Sequence, residues 1–165
     1  MKPLWAPWRM EYIESADRIE GCLFCVLPAR EEDEQNLVLY RGKHGFIILN
    51  SFPYNPGHLM VAPYKHTAEM FALSDEELLG IAHLVRYSVR LLTAAVSPDG
   101  FNLGVNLGRV GGAGVPDHIH WHIVPRWNGD TNFMPVIADT KVLPESLSAT
   151  YAKLKKKIEE LGPHE

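Results

Sequence analysis

His118-Ile119-His120-Trp121-His122-Ile123-Val124 sets three imidazoles at alternate positions within seven residues. Successive side chains of a strand point to opposite faces. An extended run therefore puts all three histidines on one face and Ile119, Trp121 and Ile123 on the other. Its β-branched and aromatic residues favour a strand, and Pro125 closes it. A face meeting only solvent has no use for three groups that titrate near neutrality. The run marks a chemical site.

Working outward, the Gly-rich segment Gly108-Arg109-Val110-Gly111-Gly112-Ala113-Gly114 reads as a loop and Phe101 to Asn106 as a strand. Ser74-Asp75-Glu76-Glu77 is a capping box, with Ser74 as N-cap and Glu77 at the third helical position. The helix it opens reaches about Val96, its buried face marked by Leu78, Ile81, Leu84, Val85, Val89 and Leu92 at helical spacing. Leu37 to Tyr40, a turn at Arg41 to His44, and Phe46 to Leu49 read as a hairpin, and His58 to Ala62 as another strand. Residues 1–36 read as an irregular arm, aromatic at Trp5, Trp8 and Tyr12 and a solvated acidic loop at Glu31 to Glu34. Residues 140–165 carry a lysine-rich amphipathic helix from about Pro144 to Leu161. Together these predict one α+β domain over 1–165: an antiparallel sheet of about five strands, one long helix and a C-terminal helix.

At 165 residues and 46% hydrophobic side chains, one core of ordinary size is expected. A formal net charge of −4 provides no electrostatic footprint for nucleic acid. No apolar run approaches the roughly 18 residues of a membrane span, and no signal-peptide pattern is seen. Two cysteines do not make a disulfide scaffold. A soluble, cytoplasmic protein without nucleic-acid or membrane partners is the expectation.

Three alternating histidines allow several readings. Each could be satisfied separately by carbonyls or water. They could bind zinc, although ring positions about 6–7 Å apart along one straight strand suit two ligands better than three. They could perform nucleophilic catalysis, a neutral imidazole attacking phosphorus or an acyl carbon while its neighbours hold its tautomer and protonate the leaving group. The adjacent Gly-rich loop tilts the choice towards phosphoryl or nucleotidyl transfer, because its backbone N–H groups could approach phosphate oxygens. Taken alone, that loop is equally a flexible turn. Cys22-Leu23-Phe24-Cys25 is the second constellation. By spacing it could be a zinc-binding pair, a redox pair or two buried thiols.

The histidine run resembles the His-x-His-x-His-x-x motif of the histidine triad superfamily of nucleotide hydrolases and transferases. Leu49-Asn50, Pro56-Gly57-His58-Leu59-Met60-Val61-Ala62-Pro63, the capped helix, Asn106 and Pro125-Arg126 follow in the family's order over roughly residues 22 to 135. Trp127 to Phe133 and the arm Leu4 to Tyr12 are similar to the bacterial diadenosine tetraphosphate phosphorylase branch. The resemblance implies that His120 is the nucleophile and that His122 contacts phosphate and protonates the leaving group. His118 would orient the nucleophile, and His58 would be the fourth histidine of the site. It implies nucleotide contacts from Asn50 at the ribose and from Asn106 at the phosphates; from the Gly-rich loop, Gly112, Ala113 and Gly114 are the candidate phosphate contacts. By residue type alone, His58 could equally be a strand-end hydrogen bonder and the asparagines turn residues. A structural zinc on Cys22, Cys25, His66 and His118, an adenosine nucleotide substrate and a homodimer complete the implied set.

Two positions depart from relatives of this kind. Many eukaryotic triad hydrolases carry Gln and Ser or Thr where this chain has Gly114 and Val115. Leaving-group contacts from those side chains cannot be carried over. The uridylyltransferase branch has Gln where this chain has His122. The leading expectation is nucleotidyl transfer from diadenosine polyphosphates or related adenosine nucleotides to inorganic phosphate or water. An adenosine phosphoramidase and a nucleotide-binding sensor without turnover are the alternatives.

Overall fold

A computed structural model describes residues 20–130 and 145–162. In chain order its α-helices and strands are α1 (Leu23–Ala29), β1 (Val38–Arg41), β2 (Gly45–Leu49), β3 (Leu59–Pro63), α2 (Asp75–Val96), β4 (Gly100–Val105), β5 (Trp121–Arg126) and α3 (Leu147–Leu161), with a 3-10 turn at Met70–Ala72 before α2. The strands form one antiparallel sheet in the order β1-β2-β3-β5-β4. The α+β architecture matches the expectation. The aromatics of the arm, residues 131–144 and His164 lie outside the described residues.

β2 and β3 are apolar at nearly every position and buried throughout, because both faces of the sheet centre are covered. On one face Leu49, Leu59, Val61 and Ile123 pack with Ile81, Leu84, Leu91 and Leu92 of α2 and with Tyr151 and Leu154 of α3. On the other, Phe46, Ile48, Met60 and Ala62 pack with Phe24 of α1. Gly45 marks a close approach of strand to strand and strand to helix: a Cβ there would stand 2.4 Å from the Ala62 carbonyl oxygen and 2.7 Å from Ile81 Cδ1.

α2 begins with the reciprocal capping box read from Ser74 and Glu77. It meets the length and composition of a membrane span, contrary to the expectation that no apolar run is long enough. Its buried stripe lies against the sheet, as in a core helix. α3 starts at Leu147, later than expected, because Ser146 caps it through the Ala149 N–H.

The arm is not irregular throughout: its Cys22–Cys25 stretch opens α1. Cys22 makes no side-chain cap bond and Pro28 sits within the helix. A seven-residue helix cannot persist on propensity. Burial of Phe24 holds it.

Two further expectations change around β5. Ladder pairing with β3 begins at Trp121, so His118 and His120 precede the strand. Their place in the ladder is taken by the Ile119 N–H donating to the Thr67 carbonyl (2.7 Å) and by the His118 ring bonding to Pro63. Pro125 does not end the strand, which continues to Arg126. Pairing with β3 has already stopped at Ile123, so the missing N–H is harmless there.

Tyr151 ties α3 to β1 by donating to the Val38 carbonyl at 2.9 Å. Burial, with the charges of Asp33 and Glu34, pushes its hydroxyl up to about 12. The unfolded group ionises near 10, so this stabilisation is complete below pH 10 and is lost as pH rises through 12. Alkaline denaturation should reveal a loss on the order of 2 kcal/mol across that window. Tyr151→Phe should remove that pH dependence while costing about 1 kcal/mol at pH 7. An unchanged alkaline slope would refute the assignment.

Candidate active site

All three triad histidines lie on the α1 side of the sheet, opposite Ile119, Trp121 and Ile123. They nevertheless serve two clusters. His58, His120 and His122 form one; His118 joins Cys22, Cys25 and His66 in the other.

Hydrogen bonds determine the tautomers of the first cluster. The His120 Nδ1–H donates to the His118 carbonyl at 2.9 Å. Its Nε2 therefore carries the lone pair. Burial holds the His120 ring below the ordinary imidazole range, only partly offset by that bond, so it is neutral near pH 7. A neutral, oriented imidazole with an unprotonated Nε2 is a nucleophile.

His58 is fully buried immediately before β3, which begins one residue later than expected. Its Nδ1 accepts the Tyr54 backbone N–H (3.1 Å) and the Asn50 Nδ2–H (3.3 Å), so the ring proton resides on Nε2. That Nε2–H donates to His122 Nδ1 at 3.0 Å. His122 in turn carries its proton on Nε2. The His120 and His122 ring centroids are 4.9 Å apart, which pairs a lone-pair donor with a proton donor. This chemistry suits attack on a phosphoryl group followed by protonation of what leaves.

Asn50 has a role that its position in the sequence did not reveal. Its Oδ1 accepts the Phe52 N–H (2.9 Å) while its amide holds His58. Two aromatic partners were also missed. Phe24 packs 4.7 Å from His120 and 5.4 Å from His118, and the Tyr54 ring lies 4.7 Å from His58 and 5.9 Å from His122. Spacing could not link residues so far apart in the chain.

The Gly-rich loop departs from expectation. Its Gly112 and Ala113 N–H groups bond inside the loop, to Arg109 (3.0 Å) and Gly108 (3.2 Å). They are not presented as a phosphate cradle. Asn106 also turns towards this loop, its Nδ2 donating to the Gly112 carbonyl at 3.4 Å. Asn106 lines the cleft beside His122, but Gly114 makes no such contact.

In the second cluster, the His118 Nε2–H donates to the Pro63 carbonyl at 2.9 Å, so Nδ1 carries the lone pair. That atom stands 3.3 Å from Cys22 Sγ, 3.6 Å from Cys25 Sγ and 3.3 Å from His66 Nδ1. Cys25 Sγ is 3.4 Å from His66 Nδ1, and all four ligand atoms lie within 4.8 Å of one another. Tetrahedral zinc bonded at about 2.1 Å to nitrogen and 2.3 Å to sulfur would separate its ligands by roughly 3.3–3.8 Å. The residues fit the ion. The Pro63 bond is the outer-shell contact that a metal-binding imidazole needs. Burial, with the neighbouring Cys22, pushes the Cys25 thiol up, an effect that a bound cation would reverse.

The model of the HIT domain, the histidine triad domain, matches residues 31–129. The chain belongs to the HIT family. Among HIT relatives, an AP-4-A phosphorylase of Mycobacterium tuberculosis is 38% identical over 157 residues, 91% of this chain and 80% of that one. An adenosine 5'-monophosphoramidase of Schizosaccharomyces pombe is 30% identical over 84% of this chain and 98% of its own. A solved Zn-bound HIT protein of Mycobacterium smegmatis shares the fold, with a TM-score of 0.68 and 24% identity over 86% of this chain and 95% of that one.

Proposed function

We propose that this HIT protein transfers a nucleotidyl group from a diadenosine polyphosphate, diadenosine tetraphosphate by preference, to inorganic phosphate or water. The observation that carries the reading is the His120 Nδ1 bond to the His118 carbonyl, which leaves Nε2 unprotonated. The likeness to an AP-4-A phosphorylase over most of the chain supports the substrate class.

The His120 Nε2 lone pair forms a bond to the α-phosphorus. The phosphoanhydride bond on the far side breaks, and its electron pair leaves with the departing nucleotide. His122 Nε2–H supplies the proton to that oxygen, while His58 holds the opposite ring edge. The acceptor then attacks the nucleotidyl-imidazole, its proton passes to His122, and His120 regains its lone pair.

The same reading includes a structural zinc on Cys22, Cys25, His66 and His118, supported by the ligand separations. Bound there, zinc would supply cross-linking of α1, the β3 exit and the triad segment. His118, whose carbonyl orients His120, is thereby held in place. We also place the protein in the reducing cytoplasm, where free thiols persist as ligands. A homodimer through α2 and the edge strand β4 belongs to the reading, supported by the exposed Leu103 on that edge. Light scattering at the mass of one chain would refute the dimer.

Product analysis with diadenosine tetraphosphate tests the activity. ADP plus ATP, dependent on phosphate, is expected. AMP plus ATP would make water the acceptor. Release of AMP from adenosine phosphoramidate alone would favour the second reading, which the fission-yeast relative supports. Binding without products would leave a sensor and overturn the enzyme.

A further inference from the structure

Beside His122 lies a cleft of about 370 Å³ whose wall includes Tyr54, Asn55, Asn102, Asn106 and Arg126. His120 is not part of that wall. His122 pairs with Gly104, Val124 with Asn102 and Arg126 with Gly100, so His122 and Arg126 share a face of β5. Their Cα atoms are about 13 Å apart along the strand. An in-line displacement sends the leaving group away from its nucleophile. Along this face the order is His120, His122, Val124, Arg126, with Val124 also lining the cleft, which directs the leaving group into it.

Arg126 is held there by an unusual amount of support. Its Nε and Nη2 donate to the Asp130 carboxylate, and its Nη1 donates to Asn102 Oδ1 at 2.7 Å. Asp130 is fixed in turn by Asn55 Nδ2 (2.7 Å) and the Trp127 N–H (3.3 Å), and its carboxyl lies well below the usual carboxylate range because of Arg126. Asn55 is buried and also donates to the Pro125 carbonyl at 3.1 Å. A guanidinium has five N–H donors. Two on Arg126 therefore have no partner among the described residues, and its side chain is 43% exposed. A guanidinium fixed in orientation, open to the cleft and beyond the reacting phosphorus is built to recognise an oxyanion.

We propose that Arg126 is a specificity-determining residue that binds a phosphate oxyanion in this cleft, beyond the α-phosphate. The proposal rests on the nucleotidyl-transfer reading. The oxyanion has two possible sources: a distal phosphate of the leaving nucleotide, or the free phosphate acceptor. Asp130 and Asn55 are positioning residues that hold the guanidinium plane.

The test compares wild type with Arg126→Gln and Arg126→Lys on diadenosine tetraphosphate and on adenosine phosphoramidate, which has no distal phosphate. Loss of the charge-assisted contact should lower the ratio of kcat/KM for the tetraphosphate to that for the phosphoramidate by about 10- to 100-fold, on the order expected for one such bond. Lysine should recover part of the loss. A raised KM for phosphate, with the defect abolished at saturating phosphate, would assign the oxyanion to the acceptor. A defect persisting at every phosphate concentration would assign it to the leaving group. An unchanged ratio together with an unchanged KM for phosphate would overturn the proposal, whether both activities fell together or neither fell. Calorimetric titration with inorganic tripolyphosphate separates this from failure of the activity itself. If wild type turns over neither substrate, the nucleotidyl-transfer reading fails. The cleft then still requires at least tenfold weaker tripolyphosphate binding by Arg126→Gln, and equal binding would sink it. Matching thermal unfolding of the variants would exclude a folding defect as the cause of any loss.

Discussion

His120→Ala is expected to lower kcat on diadenosine tetraphosphate by at least about 10³-fold, as loss of an enzyme's nucleophile does elsewhere. Nothing nearby can substitute. His122 has its Nδ1 lone pair directed at His58, and the His118 Nδ1 lone pair faces Cys22, Cys25 and His66. The substitution empties a site that is 3% exposed beside Phe24, so a stability cost of about 1–3 kcal/mol accompanies the kinetic loss. Thermal unfolding separates the two effects. Wild type quenched in alkaline denaturant, where the N–P bond survives, should carry one nucleotidyl group on His120 by intact-mass and peptide analysis, and the variant none. Turnover by His120→Ala within tenfold of wild type would end the proposed mechanism.

The second large effect concerns the Cys22, Cys25, His66 and His118 cluster. Elemental analysis of protein purified without chelator should find about one zinc per chain. An ion held at 100 to 1,000 times its dissociation constant adds about 3–4 kcal/mol to stability. For a chain of this size that corresponds to a fall in Tm of roughly 6–16 °C on chelation or in Cys25→Ser. The effect should be concentrated at α1, whose other anchor is chiefly the burial of Phe24. Faster amide exchange should therefore appear in residues 22–29 and around Thr67 before it spreads to β2 and β3. Unaltered melting in Cys25→Ser, or protein that never contains metal, would remove zinc from the account.

Some of this molecule is written locally. The capping box at Ser74 and Glu77, the apolar stripe of α2 and the continuous apolar strands β2 and β3 depend on neighbours a few residues away. Such patterns can be read along the chain. Alternation within 118–124 likewise placed the histidines on one face. The resemblance then supplied roles that spacing could not, including the distant ligands His66 and His118 for the cysteine pair.

What the amino-acid order could determine by itself was periodicity, capping and residue chemistry. It could not divide the triad between two clusters, because that depends on which lone pair each ring leaves free. The choice is made by carbonyls at Pro63 and His118 and by the backbone at Tyr54, brought near by sheet pairing. Nor could it foresee α1, too short to stand without packing on the sheet. It left open whether the Gly-rich loop offers its N–H groups or consumes them. Tertiary contacts decided these matters, since the free energy of a short helix, a ring tautomer or a loop hydrogen bond comes mainly from partners remote in the chain.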